Sequence, residues 1–207
     1  LVFVHGWGFD AGVWDGVRAL LPGHDTVALD AGYLGAPRLW FDGLADARCC
    51  VVAHSAGVLD ALLNAGAWHG PLVAINGFTR FVDGPGFPHG TPGRVLDRMR
   101  RAFGRTPEQV LADFRTRCGV PAAVPGAPQN TVLAQGLERL ATGDARGHLG
   151  GRRYLAIAGT ADPVVPPALS AASFAPQALQ WIEGGGHMLP LTSPQVCADA
   201  IRAMSHA

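Results

Sequence analysis

Ser55 is where chemistry can first be read from this chain. It lies in Val51-Val52-Ala53-His54-Ser55-Ala56-Gly57, where an apolar, strand-like run ends on a serine flanked by small residues and passes into a helix-compatible stretch. A serine on a sharp strand-to-helix turn forms a nucleophile elbow that presents its hydroxyl at the end of a sheet. Small residues are needed two before and two after it, because strand and helix cross closely there. Gly57 meets that need, and Ala53 is the smallest departure from glycine. A serine hydroxyl is a weak nucleophile near neutral pH, so a base must take its proton and a carboxylate must orient that base. Gly159-Thr160-Ala161-Asp162-Pro163 and Gly184-Gly185-Gly186-His187-Met188 each follow an apolar run and offer Asp162 and His187 for those tasks. Taken singly, each has a plainer reading: a strand-to-helix turn at Ser55, a turn residue at Asp162 and a surface-loop histidine at His187.

Rigid elements must stand behind these residues. Compact β-like runs occupy residues 1–4, 26–29, 49–53 and 72–75, with helix-compatible stretches from about Val13, Leu39 and Val58 between them. The rhythm returns at 154–158 and 179–182, then a terminal helix begins near Pro194. Alternating strands and helices predict an α/β fold with a mainly parallel sheet of about six strands. Over 78–150 the β rhythm disappears. Val95, Leu96, Met99 and Phe103 predict one helix; Thr106, Pro107 and Gln109 predict a capped start for a second carrying Val110, Leu111 and Phe114; a third runs from Asn130 through Leu133, Leu137 and Leu140. Residues 119–129, rich in Pro and Ala, read as a loop. The expected organisation is a core of 1–77 and 151–207 with a helical cap insertion, 78–150, roofing the sheet's C-terminal edge, where ligands bind in open α/β sheets.

At 207 residues and 48% hydrophobic, the chain suffices for one well-cored domain with a small insertion. Sixteen basic and sixteen acidic residues cancel, which argues against a field that recruits nucleic acid or an anionic membrane. No apolar run reaches a membrane span and no charged region precedes residues 1–4, so a cytoplasmic location is expected, with native residues ahead of Leu1 because the chain lacks an initiator Met. Every basic residue is Arg, which fits a GC-rich codon bias. Cys49, Cys50, Cys118 and Cys197 have neither zinc-site spacing nor the density of a disulfide framework, and His24, His54, His69, His89 and His148 form no metal-ligand pattern. No metal is expected. Gly184 to Gly186 opens no helix and does not fit dinucleotide binding.

With these motifs assembled, the chain resembles the α/β-hydrolase superfamily across nearly its whole length. Ser55, Asp162 and His187 follow its chain order, and Val2-Phe3-Val4-His5-Gly6-Trp7-Gly8 ends the first strand in its His-Gly turn. A closer resemblance is to the carboxylesterases of biotin synthesis that demethylate pimeloyl-acyl-carrier-protein methyl ester. It is carried by His5-Gly6-Trp7-Gly8, the distance to Trp14, the compact cap, Ile75-Asn76-Gly77-Phe78, Gly86-Phe87-Pro88 and the Arg-Met-Arg-Arg run at 98–101. The resemblance implies that Ser55 attacks the ester carbonyl and that the Trp7 and Ala56 N–H groups hold the oxyanion. His187 shuttles protons and Asp162 orients it; no cofactor is implied. A serine at the elbow argues against dehalogenase or epoxide-hydrolase chemistry, which uses an aspartate there in this superfamily. Ala53 and a shortened N-terminus, without the usual leading antiparallel hairpin, depart from the pattern.

The resemblance also implies a partner, an acyl-carrier protein bearing the ester, acting on a monomer. Arg94, Arg98, Arg101 and Arg105, spaced by four, three and four, fall on one helix face, a basic stripe suited to an acidic carrier or simply a solvated face. Phe78, Phe81 and Phe87, near a predicted strand end, are candidates to line an acyl pocket or to pack the cap. Two rival functions stand beside this one: a small-ester or thioester hydrolase needing no carrier, and a hydrolase-fold protein that only binds its ligand.

Overall fold

A computed structural model of the chain describes residues 1–38, 41–44 and 47–205. Its strands are β1 (Val2–Val4), β2 (Val27–Leu29), β3 (Ala47–Arg48), β4 (Val51–His54), β5 (Trp68–His69), β6 (Leu72–Ile75), β7 (Tyr154–Gly159) and β8 (Leu179–Ile182). Six of them form one parallel sheet in the order β2-β1-β4-β6-β7-β8, as the strand rhythm predicts. The two-residue strands β3 and β5 pair separately.

The helices are α1 (Asp15–Ala19), α2 (Ala56–Leu63), α3 (Gly93–Phe103), α4 (Pro107–Arg117), α5 (Asn130–Thr142), α6 (Pro167–Ser173), α7 (Leu189–Thr192) and α8 (Pro194–Ser205). The stretch expected to turn helical at Leu39 begins outside the described residues. Thr106 precedes α4 as expected, but its side chain does not cap that helix. Its hydroxyl donates instead to the Ala102 carbonyl, and Pro107, which has no N–H to satisfy, starts the helix unaided.

Successive side chains of a strand point to opposite faces, and the central strands here are buried on both. Val4, Ala53, Ala74 and Ala156 are register partners across four adjacent strands and belong to the core layer that includes α2. This row of small side chains gives α2 room to lie close to the sheet, so alanine at position 53 belongs to a shared surface. The opposite face carries Phe3, Val52 and Val73, packed with Val17 of α1 and Cys197 and Ile201 of α8. Edge strand β8 is more open, with Trp181 43% exposed.

The insertion supplies α3, α4 and α5. Trp7 Nε1, just past β1, donates to the Leu133 carbonyl of α5 at 2.8 Å, and Arg115 Nη1 of α4 donates to the Gly8 carbonyl at 3.2 Å. At the other side of α5, Arg139 reaches both Asp60 Oδ1 of α2 at 3.1 Å and the Tyr33 hydroxyl at 3.0 Å. Burial pushes the Asp60 carboxyl up, while the Arg139 guanidinium opposes that rise. These bonds tie the cap to the C-terminal end of the sheet. Among the described residues, no helix is long and apolar enough to cross a membrane.

Candidate active site

The site begins with backbone geometry at the ends of two adjacent strands. Among the described residues, only Ser55 and Asn76 take positive φ without being glycine, at 54° and 45°. Such conformations cost on the order of 1–3 kcal/mol each and persist where surrounding structure enforces them. At Ser55 the chain leaves β4 and enters α2 immediately. A Cβ on Gly57 would come within 2.7 Å of the Val4 carbonyl oxygen, and one on Gly6 within 2.9 Å of Ser55 Cβ. Both glycines are therefore demanded by the close crossing of β4, α2 and the turn after β1. Neither the Trp7 nor the Ala56 N–H donates to any hydrogen bond among the described residues. Ala56 opens α2, so its N–H has no acceptor within the helix.

Asp162 follows β7 and His187 follows β8. Val164 and Val165 donate their backbone N–H groups to Asp162 Oδ1 at 2.7 and 2.9 Å, which fixes the carboxylate and leaves Oδ2 for His187 Nδ1 at 2.8 Å. A carboxylate only accepts, so Nδ1 donates in this bond and leaves Nε2 on the other side of the ring. Ser55, His187 and Asp162 are in contact. His187 Nε2 is buried and has no hydrogen-bond partner, Ser55 included, among the described residues.

Two further residues hold the backbone at His187. Asn76 Nδ2 donates to the carbonyls of Gly186 at 2.8 Å and His187 at 2.7 Å, while its Oδ1 accepts from the Gly159 N–H at 2.8 Å. His54 Nε2 donates to the same His187 carbonyl at 2.9 Å, and the two imidazole rings lie 4.8 Å apart. Burial, followed by the neighbouring His187, pushes the His54 pKa well below the usual histidine value, so His54 itself stays neutral. Neither residue stood out as a site residue in the sequence. The available signal was polarity at the ends of buried runs: His54 ends β4 and Asn76 directly follows β6.

Phe114 of α4 also escapes notice in the sequence, where it reads as one member of an apolar stripe. Its ring stands edge-on to Trp7 at 4.9 Å and to His187 at 6.5 Å. Phe78 and Phe81 pack against each other at 4.9 Å, and Phe87 lies beneath the Arg146 guanidinium. All three are buried in the layer shared with the cap, and none makes a described ring contact with His187. Arg94, Arg98 and Arg101 are exposed on α3; Arg105 is exposed beyond its last residue. None of the four forms a described ion pair. Among the described residues no cluster of His, Cys, Asp and Glu side chains suits a metal ion. A cavity of about 760 Å³ is lined by residues that include Leu1, Cys49, Pro71 and Arg153. Those residues precede β1, β4, β6 and β7, at the end of the sheet opposite Ser55.

A serine, an imidazole and a carboxylate in contact, beside two unspent N–H groups, can support nucleophilic attack on a carbonyl and hold the resulting oxyanion. A family model described as "Alpha/beta hydrolase family" matches residues 1–200. None of the curated proteins compared with the chain matches it. Among solved structures, a hydrolase from Pseudomonas aeruginosa PA01 is similar over 100% of this chain and 89% of its own, with 19% identity and a TM-score of 0.75. A bromoperoxidase from Bacillus anthracis (16% identity) and an esterase from Exiguobacterium antarcticum (14%) each cover 98% of this chain and 90% of their own, both with TM-scores of 0.76. At such identities the likeness is one of fold, and the fold is the α/β-hydrolase fold expected from the motifs.

Proposed function

Because the chain belongs to the alpha/beta hydrolase family, we propose that it is a serine hydrolase of carboxylic esters. The observation that carries this reading is the Asp162–His187 hydrogen bond, 2.8 Å long, in contact with a serine held at positive φ. Ser55 Oγ attacks the ester carbonyl as His187 Nε2 takes the hydroxyl proton, and the Trp7 and Ala56 N–H groups receive the developing oxyanion. His187 then gives that proton to the departing alkoxide, leaving an acyl-Ser55 ester. A water, deprotonated by His187, attacks the acyl carbon; the acid leaves and Ser55 recovers its proton. Asp162 holds Nδ1–H throughout and stabilises the imidazolium that forms between steps.

The finer reading is the methyl ester of a pimeloyl chain on an acyl-carrier protein, cleaved to methanol and the free acid in biotin synthesis in the cytoplasm. Its support is the resemblance of the His5-Gly6-Trp7-Gly8 and cap motifs, together with the exposed arginines Arg94, Arg98, Arg101 and Arg105. Incubation with pimeloyl-carrier methyl ester beside p-nitrophenyl acetate tests chemistry and partner together. Both should be hydrolysed, with an acyl adduct on Ser55 seen by mass spectrometry, and Ser55→Ala should lose several orders of magnitude in kcat. Near-wild-type turnover by folded Ser55→Ala rejects the mechanism. Hydrolysis of the acetate alone rejects the carrier-bound substrate and favours a small-ester hydrolase.

A further inference from the structure

The groups that would do the chemistry are closed off: Ser55 is 4% exposed, Asp162 5% and His187 1%. An ester must reach them past the cap. Between α3 and α4 runs a groove of about 380 Å³, within the size range of small-molecule pockets. Val95, Met99, Ala102, Val110 and Phe114 are its apolar lining, and Arg98, Asp113 and Arg117 are its charged lining. The same Phe114 ring stands over Trp7 and His187. Gly8, at a φ of 76°, gives the ring room, since a Cβ there would lie 3.3 Å from it. A carbonyl under attack by Ser55 lies between the Trp7 N–H and His187 Nε2. One aromatic ring therefore separates that position from the groove.

We propose that the α3–α4 groove is the acyl-chain site of this enzyme, and that Phe114, between groove and reacting carbonyl, sets the length of chain accepted. The inference rests on Ser55 being the nucleophile. The apolar part of the lining suits a hydrocarbon acyl chain, and Phe114, which belongs both to the groove and to the rings around Trp7 and His187, favours the substrate's own acyl part over an unrelated ligand. Each methylene that enters the groove should raise kcat/KM by about fourfold, equivalent to about 0.8 kcal/mol per buried CH₂. The rise should stop where the groove is full.

The experiment is a kcat/KM series for p-nitrophenyl esters from acetate to dodecanoate, measured on the wild type, Val95→Trp and Phe114→Leu. Val95 is exposed on α3, so a tryptophan there fills the groove without disturbing the core; Ala102→Phe fills it from a second position. Expected are a wild-type rise with chain length, an octanoate-to-acetate ratio at least tenfold lower in both groove-filling variants, and a longer preferred chain in Phe114→Leu. A thermal melt shows that each variant is folded. An unchanged ratio in folded Val95→Trp and Ala102→Phe overturns the groove while ester hydrolysis stands. If no ester in the series is hydrolysed and none acylates Ser55, the hydrolase reading itself is overturned and the groove falls with it.

Discussion

His54 carries more consequence than its place beside Ser55 suggests. It is fully buried, and its Nε2–H is spent on the carbonyl of His187. Burial holds its pKa well below the usual histidine value, so below about pH 6.5 the unfolded chain binds a proton that the folded protein refuses. Stability should therefore fall as pH drops below 6.5, by about 1.4 kcal/mol per pH unit until the folded-state pKa is reached, and the dependence should vanish above pH 6.5. Asp30 titrates elsewhere: although burial would raise its pKa, its hydrogen bond with His5 and bonds from the Gly32 and Ala11 N–H groups bring it to about 2, so its stabilisation is lost only below about pH 4. His54→Gln keeps a donor and cannot ionise. Urea unfolding at pH 6.5 and 5.5 should show the wild type losing about 1 kcal/mol more than the variant, and equal losses would remove His54 from the acid limb. Ser55, Asp162 and His187 were legible in the sequence because each follows an apolar run in a telling order. His54 and Asn76 were not, since their bonds to residue 187 span 133 and 111 positions and no local pattern records them.

At the scale of elements, α4 holds the turn after β1 as well as roofing it. Arg115 sends Nη1 to the Gly8 carbonyl and Nε to the Pro121 carbonyl, each at 3.2 Å, with its guanidinium 5.1 Å from the Phe9 ring centroid. Arg115→Leu leaves the Gly8 carbonyl without its partner, a loss of about 2 kcal/mol and hence a Tm lower by about 4–8 °C for a chain of this size. The turn that carries the Trp7 N–H would lose its tie to the cap, and kcat/KM for p-nitrophenyl acetate should fall by about tenfold. Lysine cannot reproduce the guanidinium fork, so Arg115→Lys should recover only part of both. Full activity in Arg115→Leu would show that the turn holds its shape without α4. The six strands were readable because compact apolar runs mark a buried parallel sheet. So were α3, α4 and α5, whose apolar spacing is helical. The short α6 and α7 were not: Pro166, Pro167 and Pro190 mask them as loops, and tertiary packing of Leu169 and Leu189 fixes them instead.

For the whole molecule, a formal net charge of zero conceals an uneven surface. Around α3, Arg100 is satisfied by Asp97 and Glu138, and Arg80 and Arg146 both pair with Asp144, so the insertion neutralises much of its own charge. Arg94, Arg98, Arg101 and Arg105 are exposed and outside the described ion pairs. A solvated helix face needs no such asymmetry, whereas an acidic carrier delivering its acyl chain to the cap would be steered by it. Arg98 also lines the α3–α4 groove, so the docking test uses Arg94 and Arg101, which do not. Arg94→Glu with Arg101→Glu should raise the KM for a carrier-bound ester at least fivefold relative to that for p-nitrophenyl acetate, which is neutral and needs no steering. Raising ionic strength from 0.02 to 0.5 M should erode the wild-type advantage on the carrier ester, since exposed charges are screened beyond about 10 Å at 0.1 M. Equal losses on both esters would assign the two arginines to cap structure. No loss on either would leave the cap face merely solvated, and the physiological ester would then be a free small molecule that reaches Ser55 by diffusion alone.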